Sequence, residues 1–124
     1  MDFMQSETRI NLARAFAGES QARNRYTIYA DIARKEGQEY LARIFQETAD
    51  NEKVHGEEFL EMIQKHAPAP QENIHIDAGY PFPLGSTAQN LAFAAAGELE
   101  EFTTAYPALL SWPNGRLPGC SPSV

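Results

Sequence analysis

Glu52 and His55 stand three residues apart in a segment, Gln38 to His66, with no proline and only Gly56 to interrupt it. On a helix that spacing puts both side chains on one face, one turn apart, able to bind the same ion. They also lie in a seam of Leu41, Phe45, Thr48, Glu52, His55, Phe59 and Met62, at the alternating spacings of four and three that mark a face turned to a core. The same construction in the preceding segment gives Leu12, Phe16, Glu19, Arg23, Tyr26, Ala30 and Ala33. In a third it gives Leu91, Ala94, Glu98, Glu101, Ala105 and Ala108. Each segment thus turns carboxylate toward one interior.

An ionised carboxylate taken singly is usually solvated, and buried alone it costs several kcal/mol even after relaxation. Three helices that each bury one need a compensating positive charge, and Arg23 is a single cation. Divalent metal ions supply it. Oxygen donors with one imidazole suit iron or manganese better than structural zinc, which favours cysteine. Glu19, Glu52, His55, Glu98 and Glu101 are therefore the candidate ligands. Tyr26 follows Glu19 by two turns on the same face, where it fills core volume or hydrogen-bonds a ligand carboxylate. Glu57, Glu58, Glu61 and Glu100 leave the seams and are expected on solvated faces. His66, at a helix end, and His75, between helices, are read as solvated or capping.

The elements that position these residues follow from helix formers and breakers. Residues 7–35 are free of proline and rich in alanine, arginine and glutamate, Ser6 can cap them, and Gly37 closes them. Residues 38–66 form a second helix, antiparallel to the first because the joining turn is tight. Residues 67–85, with four prolines and two glycines, read as a long crossover over the surface. Ser86 or Thr87 caps a third helix over 87–106. After it Pro107, Pro113, Gly115, Pro118, Gly119 and Pro122 make 108–124 an irregular tail, so residues 1–107 are the domain.

The third helix repeats the first. Asn11-Leu12-Ala13-Arg14-Ala15-Phe16-Ala17-Gly18-Glu19 matches Asn90-Leu91-Ala92-Phe93-Ala94-Ala95-Ala96-Gly97-Glu98 at seven of nine positions without a gap. The chain reads as a duplicated helix pair whose second copy is cut short. Its 124 residues suit one domain, and a formal charge of −7 has the wrong sign for nucleic acid. No apolar run is long enough to span a membrane, and the N-terminus has no leader pattern. Cys120 is the one cysteine, so neither an internal disulfide nor a Cys-x-x-Cys site is available. These features lead us to expect a soluble, cytoplasmic, all-α protein.

Several motifs taken together resemble the rubrerythrin family: Phe16-Ala17-Gly18-Glu19-Ser20-Gln21-Ala22-Arg23 with Tyr26, Ala33-Arg34-Lys35-Glu36-Gly37, Glu47-Thr48-Ala49-Asp50-Asn51-Glu52-Lys53-Val54-His55, and Ala96-Gly97-Glu98-Leu99-Glu100-Glu101-Phe102 with Tyr106-Pro107. The resemblance covers residues 8 to 107. It implies a ferritin-like four-helix bundle holding two iron ions, with manganese or zinc as possible substitutes, that reduces hydrogen peroxide. It also implies that Glu19, Glu52, His55, Glu98 and Glu101 are ligands and that Tyr26 and Tyr106 neighbour the site. The family's fourth helix brings a further Glu and His, whereas residues 108–124 contain no glutamate, aspartate or histidine. For one choice of codons, a one-base shift across Arg116 to Ser121 would restore a sequence like the entry to that helix, so the tail is read as an out-of-frame end. No rubredoxin-like Cys-x-x-Cys pairs are present, so the electron donor is expected to be a separate protein such as a rubredoxin. The expected architecture is three long helices per chain, with the bundle completed by another copy in a homodimer or larger assembly. Two functions follow as expectations: a peroxide-reducing diiron oxidoreductase, or an iron-binding or structural helical assembly without turnover.

Overall fold

The computed structural model describes residues 7–66 and 72–100. They form α1 (Glu7–Lys35), α2 (Glu39–His66) and α3 (Thr87–Glu100), with no strand among the described residues. The chain is an all-α helical bundle. No helix among these residues is long and apolar enough to cross a membrane.

Gly37 ends α1 at a φ of 77°, a conformation that glycine adopts without steric cost. Its N–H donates to the carbonyl of Arg34 at 3.0 Å, and the N–H of Gln38 donates to that of Ala33 at 2.8 Å. This pair of bonds satisfies carbonyls that the helix end leaves open and reverses the chain. The Gln38 carbonyl then accepts the first bond of the next helix, from Ala42 N at 2.9 Å, so α2 opens at Glu39, one residue later than its sequence suggested.

The two antiparallel helices enclose two apolar clusters. Near the turn lie Ala22, Tyr26, Tyr29, Ala30, Ala33, Ala42, Phe45 and Ala49, and at the far end Leu12, Phe59, Met62 and Ile63. The seam of closest approach runs along alanines and Gly56, because small side chains let the backbones draw together. Phe16, Arg23, Leu41 and Thr48, placed by period on that seam, are consequently half-buried at its margins. Tyr26, Tyr29 and Phe45 pack ring on ring, with centroids 5.8, 6.2 and 5.5 Å apart, and the Arg25 guanidinium lies 5.4 Å from the Tyr26 ring.

The crossover runs along α1 in the same direction as the helix. Arg14 Nε donates to the Asp77 carbonyl at 3.2 Å, Tyr80 OH to the Arg14 carbonyl at 2.6 Å, and Tyr29 OH to the Pro83 carbonyl at 2.8 Å. The Tyr80 ring lies against Gly18, where an added Cβ would come within 3.2 Å of it. From Arg14 to Glu36 a helix rises about 33 Å, and from Asp77 to Thr87 an extended chain covers about the same distance. The crossover is therefore nearly straight, and α3 must turn back antiparallel to α1, where Ala94 packs against the cluster near the turn.

The start of α3 is closed by a capping box. The Ser86 hydroxyl accepts from Gln89 N at 3.3 Å and the Gln89 side chain accepts from Ser86 N at 2.9 Å. Asn90, fully buried, accepts from Gly85 N at 2.9 Å and donates to the Gly85 carbonyl at 3.0 Å. Thr87, Asn90 and Ala94 make the face turned to α1, so Leu91, placed on the seam by sequence, is 39% exposed.

Candidate metal centre

Between the two apolar clusters, about one turn from each, lie Glu19 of α1 and Glu52 and His55 of α2. One ligand atom from each of the three comes within 4.8 Å of the others. Glu19 is 6% exposed and Glu52 7%. His55, half-buried, places Nδ1 3.7 Å from Glu19 Oε2, outside hydrogen-bonding range. The three donors therefore surround a common point.

Their placement is local in origin. Glu52 and His55 are one turn apart on α2, and Gly56, buried beside them, lets α1 approach. A Cβ built on Gly56 would lie 3.7 Å from the Glu19 Cβ and 3.9 Å from the Phe16 ring, so the backbones here are separated by little more than these side chains. The approach fixes Glu19 against the Glu52–His55 pair.

One Glu19 oxygen and one Glu52 oxygen, both Oε2, are closed off from solvent with no hydrogen-bond partner. Buried carboxylate oxygens in that state are costly unless a cation binds them. Two oxygens and one imidazole nitrogen are a donor set that iron or manganese accepts. The residues fit a divalent metal.

The other expected residues are placed as follows. Tyr26 is buried two turns beyond Glu19, stacked on Phe45 with centroids 6.2 Å apart. Glu98 falls within α3. Glu101 and Tyr106, with the tail 108–124, lie outside the described residues. Arg23 hydrogen-bonds the Thr27 hydroxyl through Nη1 at 3.2 Å. Glu57 and Glu61 are exposed, as is His75. Glu58 is a correction: it is half-buried and its Oε2 is enclosed without a hydrogen-bond partner. Position 58 follows His55 by three residues, which carries it to the flank of the seam rather than the open face.

Sequence reasoning missed Glu36, which accepts from Thr87 N at 2.8 Å and from the Thr87 hydroxyl. These bonds, the hydroxyl's first, hold its carboxyl below the ordinary glutamate range. It also missed the Tyr29 and Tyr80 hydroxyls that fasten the crossover, whose partners are backbone carbonyls with no sequence signature. Burial pushes the Tyr80 phenol up, partly opposed by Arg14.

Comparison with known proteins agrees with this geometry. The rubrerythrin family model matches residues 11–115. The chain is 48% identical over 103 residues to rubrerythrin-1 of Clostridium acetobutylicum, covering 82% of this chain and 52% of that protein. It is 48% identical over 104 residues to rubrerythrin of Porphyromonas gingivalis, covering 83% and 49%. To nigerythrin of Nitratidesulfovibrio vulgaris it is 34% identical over 101 residues, covering 81% and 48%. The chain spans about half the length of the curated relatives it matches.

Proposed function

This chain belongs to the rubrerythrin family, and from that premise we propose that it is a diiron oxidoreductase reducing hydrogen peroxide to water with electrons from a separate donor such as a rubredoxin. The observation that carries this reading is the pair of buried carboxylate oxygens, on Glu19 and Glu52, grouped with His55 and without hydrogen-bond partners. Glu19, Glu52 and His55 are the proposed metal ligands, joined by Glu98 and Glu101, with manganese and zinc as substitutes. Bound iron supplies reversible one-electron chemistry, and each peroxide consumes two electrons and two protons. The carboxylates of Glu19 and Glu52 would hold the metal, and since a carboxylate can bind through one oxygen or two they could accommodate a change of its charge. The flanking apolar clusters exclude bulk water, and half-buried His55 marks the edge by which a small substrate enters. Tyr26 and Tyr106 are the proposed neighbours that hydrogen-bond the site.

The assembly we propose is a homodimer or larger homo-oligomer in the cytoplasm, in which a second copy contributes donors. In one geometry Glu19, Glu52 and His55 of two copies, repeated about a twofold axis, give four carboxylates and two imidazoles, whose charge balances two divalent ions; in the other, α3 closes a partner's bundle and Glu98 and Glu101 join the site. The internal repeat supports this, since residues 90–98 match residues 11–19 at seven of nine positions. A monomer in sedimentation experiments with metal present would refute it.

The test of function is an anaerobic ferrous titration followed by peroxide. Specific ferrous binding with rapid peroxide-dependent oxidation is expected. Ferrous binding without such oxidation would leave an iron-binding assembly in place of the oxidoreductase.

A further inference from the structure

We propose that Glu36 is the positioning residue that seats α3 on the helix pair and so sets the register of α3 against the Glu19–Glu52–His55 cluster. The inference rests on the metal reading above and names a residue that the reading does not use.

The capping box and the Asn90 bonds to Gly85 are local. They determine at which residue α3 begins, and say nothing of where that beginning lies on the rest of the molecule. Glu36 supplies the second specification. It is the last residue before Gly37, whose positive φ turns the chain, so its carboxylate is held at the end of α1 where the crossover arrives. Both the N–H and the hydroxyl of Thr87 donate to it. Its charge also sits at the N-terminus of α3, where the helix dipole favours an anion. Thr87 is buried while Glu36 is exposed, so losing the carboxylate would leave the Thr87 N–H and hydroxyl without this acceptor at the rim of the molecule.

Seating transmits to the site through helix geometry. Ala94 packs on the cluster that includes Ala22. Glu98 comes one turn after Ala94 on α3, and Glu19 about one turn before Ala22 on α1. Running antiparallel to α1 from the Glu36 end, α3 advances toward the Glu19 turn, so its register fixes how near residue 98 comes to that turn. A slip of α3 by one residue moves position 98 by about 1.5 Å along the axis and about 100° around it. The charged groups around Glu36 are Lys35 beside it, Arg34, which pairs with Asp31 at 3.3 Å, and Glu39, 3.9 Å from Arg34 Nε. None of these displaces Thr87 from Glu36.

The experiment compares wild type, Glu36→Ala, Glu36→Gln and Thr87→Val in the full chain. It uses amide hydrogen exchange across 87–97 and anaerobic titration with ferrous ion. Glu36→Ala and Thr87→Val are expected to speed exchange in 87–97 by about fivefold or more while leaving 7–66 close to wild type, the size of a lost helix cap. Both should weaken ferrous binding by about tenfold, with Glu36→Gln recovering part of each loss because the amide oxygen still accepts from Thr87. Unchanged exchange in 87–97 would overturn the seating role. Faster exchange with unchanged ferrous affinity would also overturn the proposal, showing a fastening that does not reach the site, while the metal reading stands. No ferrous binding by wild type would instead sink the metal reading, and this inference with it, whatever the exchange shows.

Discussion

Glu19 and Glu52, in the middle of the α1–α2 pair, and Thr87 and Asn90, at the start of α3, are the buried polar or charged residues among those described. At the start of α3 the buried side chains are paired: Asn90 bonds both main-chain groups of Gly85, and Thr87 bonds Glu36. In the middle of the helix pair, one oxygen of each carboxylate has no hydrogen-bond partner at all. A fold that satisfies its polar groups in one place can do so in another. The contrast is that the start of α3 is closed by structural hydrogen bonds, whereas the carboxylate pair leaves one enclosed oxygen on each side chain, as a cation site requires.

The largest expected effect breaks the open region. Glu52→Gln removes a charged donor while keeping the shape, and ferrous affinity should fall by about 100-fold or more, read by anaerobic titration. Next comes a pair of opposite signs that sharpens the contrast in the metal-free protein. Asn90→Ala strips two bonds from Gly85 and should lower unfolding stability by about 2 kcal/mol. Glu52→Leu replaces a buried charge lacking a cation and should raise stability by about 1–3 kcal/mol. Denaturant midpoints measure both, and a drop in each would mean that the carboxylate region is satisfied like the other. With ferrous ion at a thousandfold excess over its dissociation constant the order reverses, since wild type gains about 4.1 kcal/mol that Glu52→Leu cannot.

A smaller effect concerns pH. Glu36 titrates below the ordinary glutamate range because Thr87 bonds its charged form. Its contribution is therefore complete above the ordinary carboxylate pKa and is lost as pH falls through the depressed folded value. Protection of α3 amides should weaken across that acidic window in wild type and show less pH dependence in Glu36→Ala. The smallest expected effect is at Gly56. A methyl there meets Glu19 Cβ at ordinary contact distance, so Gly56→Ala should stabilise α2 by up to about 1 kcal/mol in thermal unfolding.

Most of the helical framework was legible because it depends on periodicity and on breakers. Gly37, the absence of proline from 7–66, and the prolines of the crossover mark where helices can and cannot run. The grouping of Glu19 with Glu52 and His55 was legible for a related reason: a charged residue recurring on an apolar face at helical spacing has one direction to point. A cap at Ser86 or Thr87 was readable too, and the structure gives it to Ser86 paired with Gln89. The seams were less so, since Phe16, Leu41 and Leu91 satisfy the period yet lie at the margins.

By itself the sequence determined the helices, their antiparallel pairing and the residue types that meet between them, because these follow from local propensity and a period of 3.6. Tertiary structure alone decided that Glu36 receives α3, that Tyr29 and Tyr80 fasten the crossover, and that one carboxylate oxygen each of Glu19, Glu52 and Glu58 is enclosed without a hydrogen-bond partner. The physical reason is that a hydrogen bond across more than fifty residues depends on where two chain segments are carried by everything between them. No short spacing in the sequence encodes that distance.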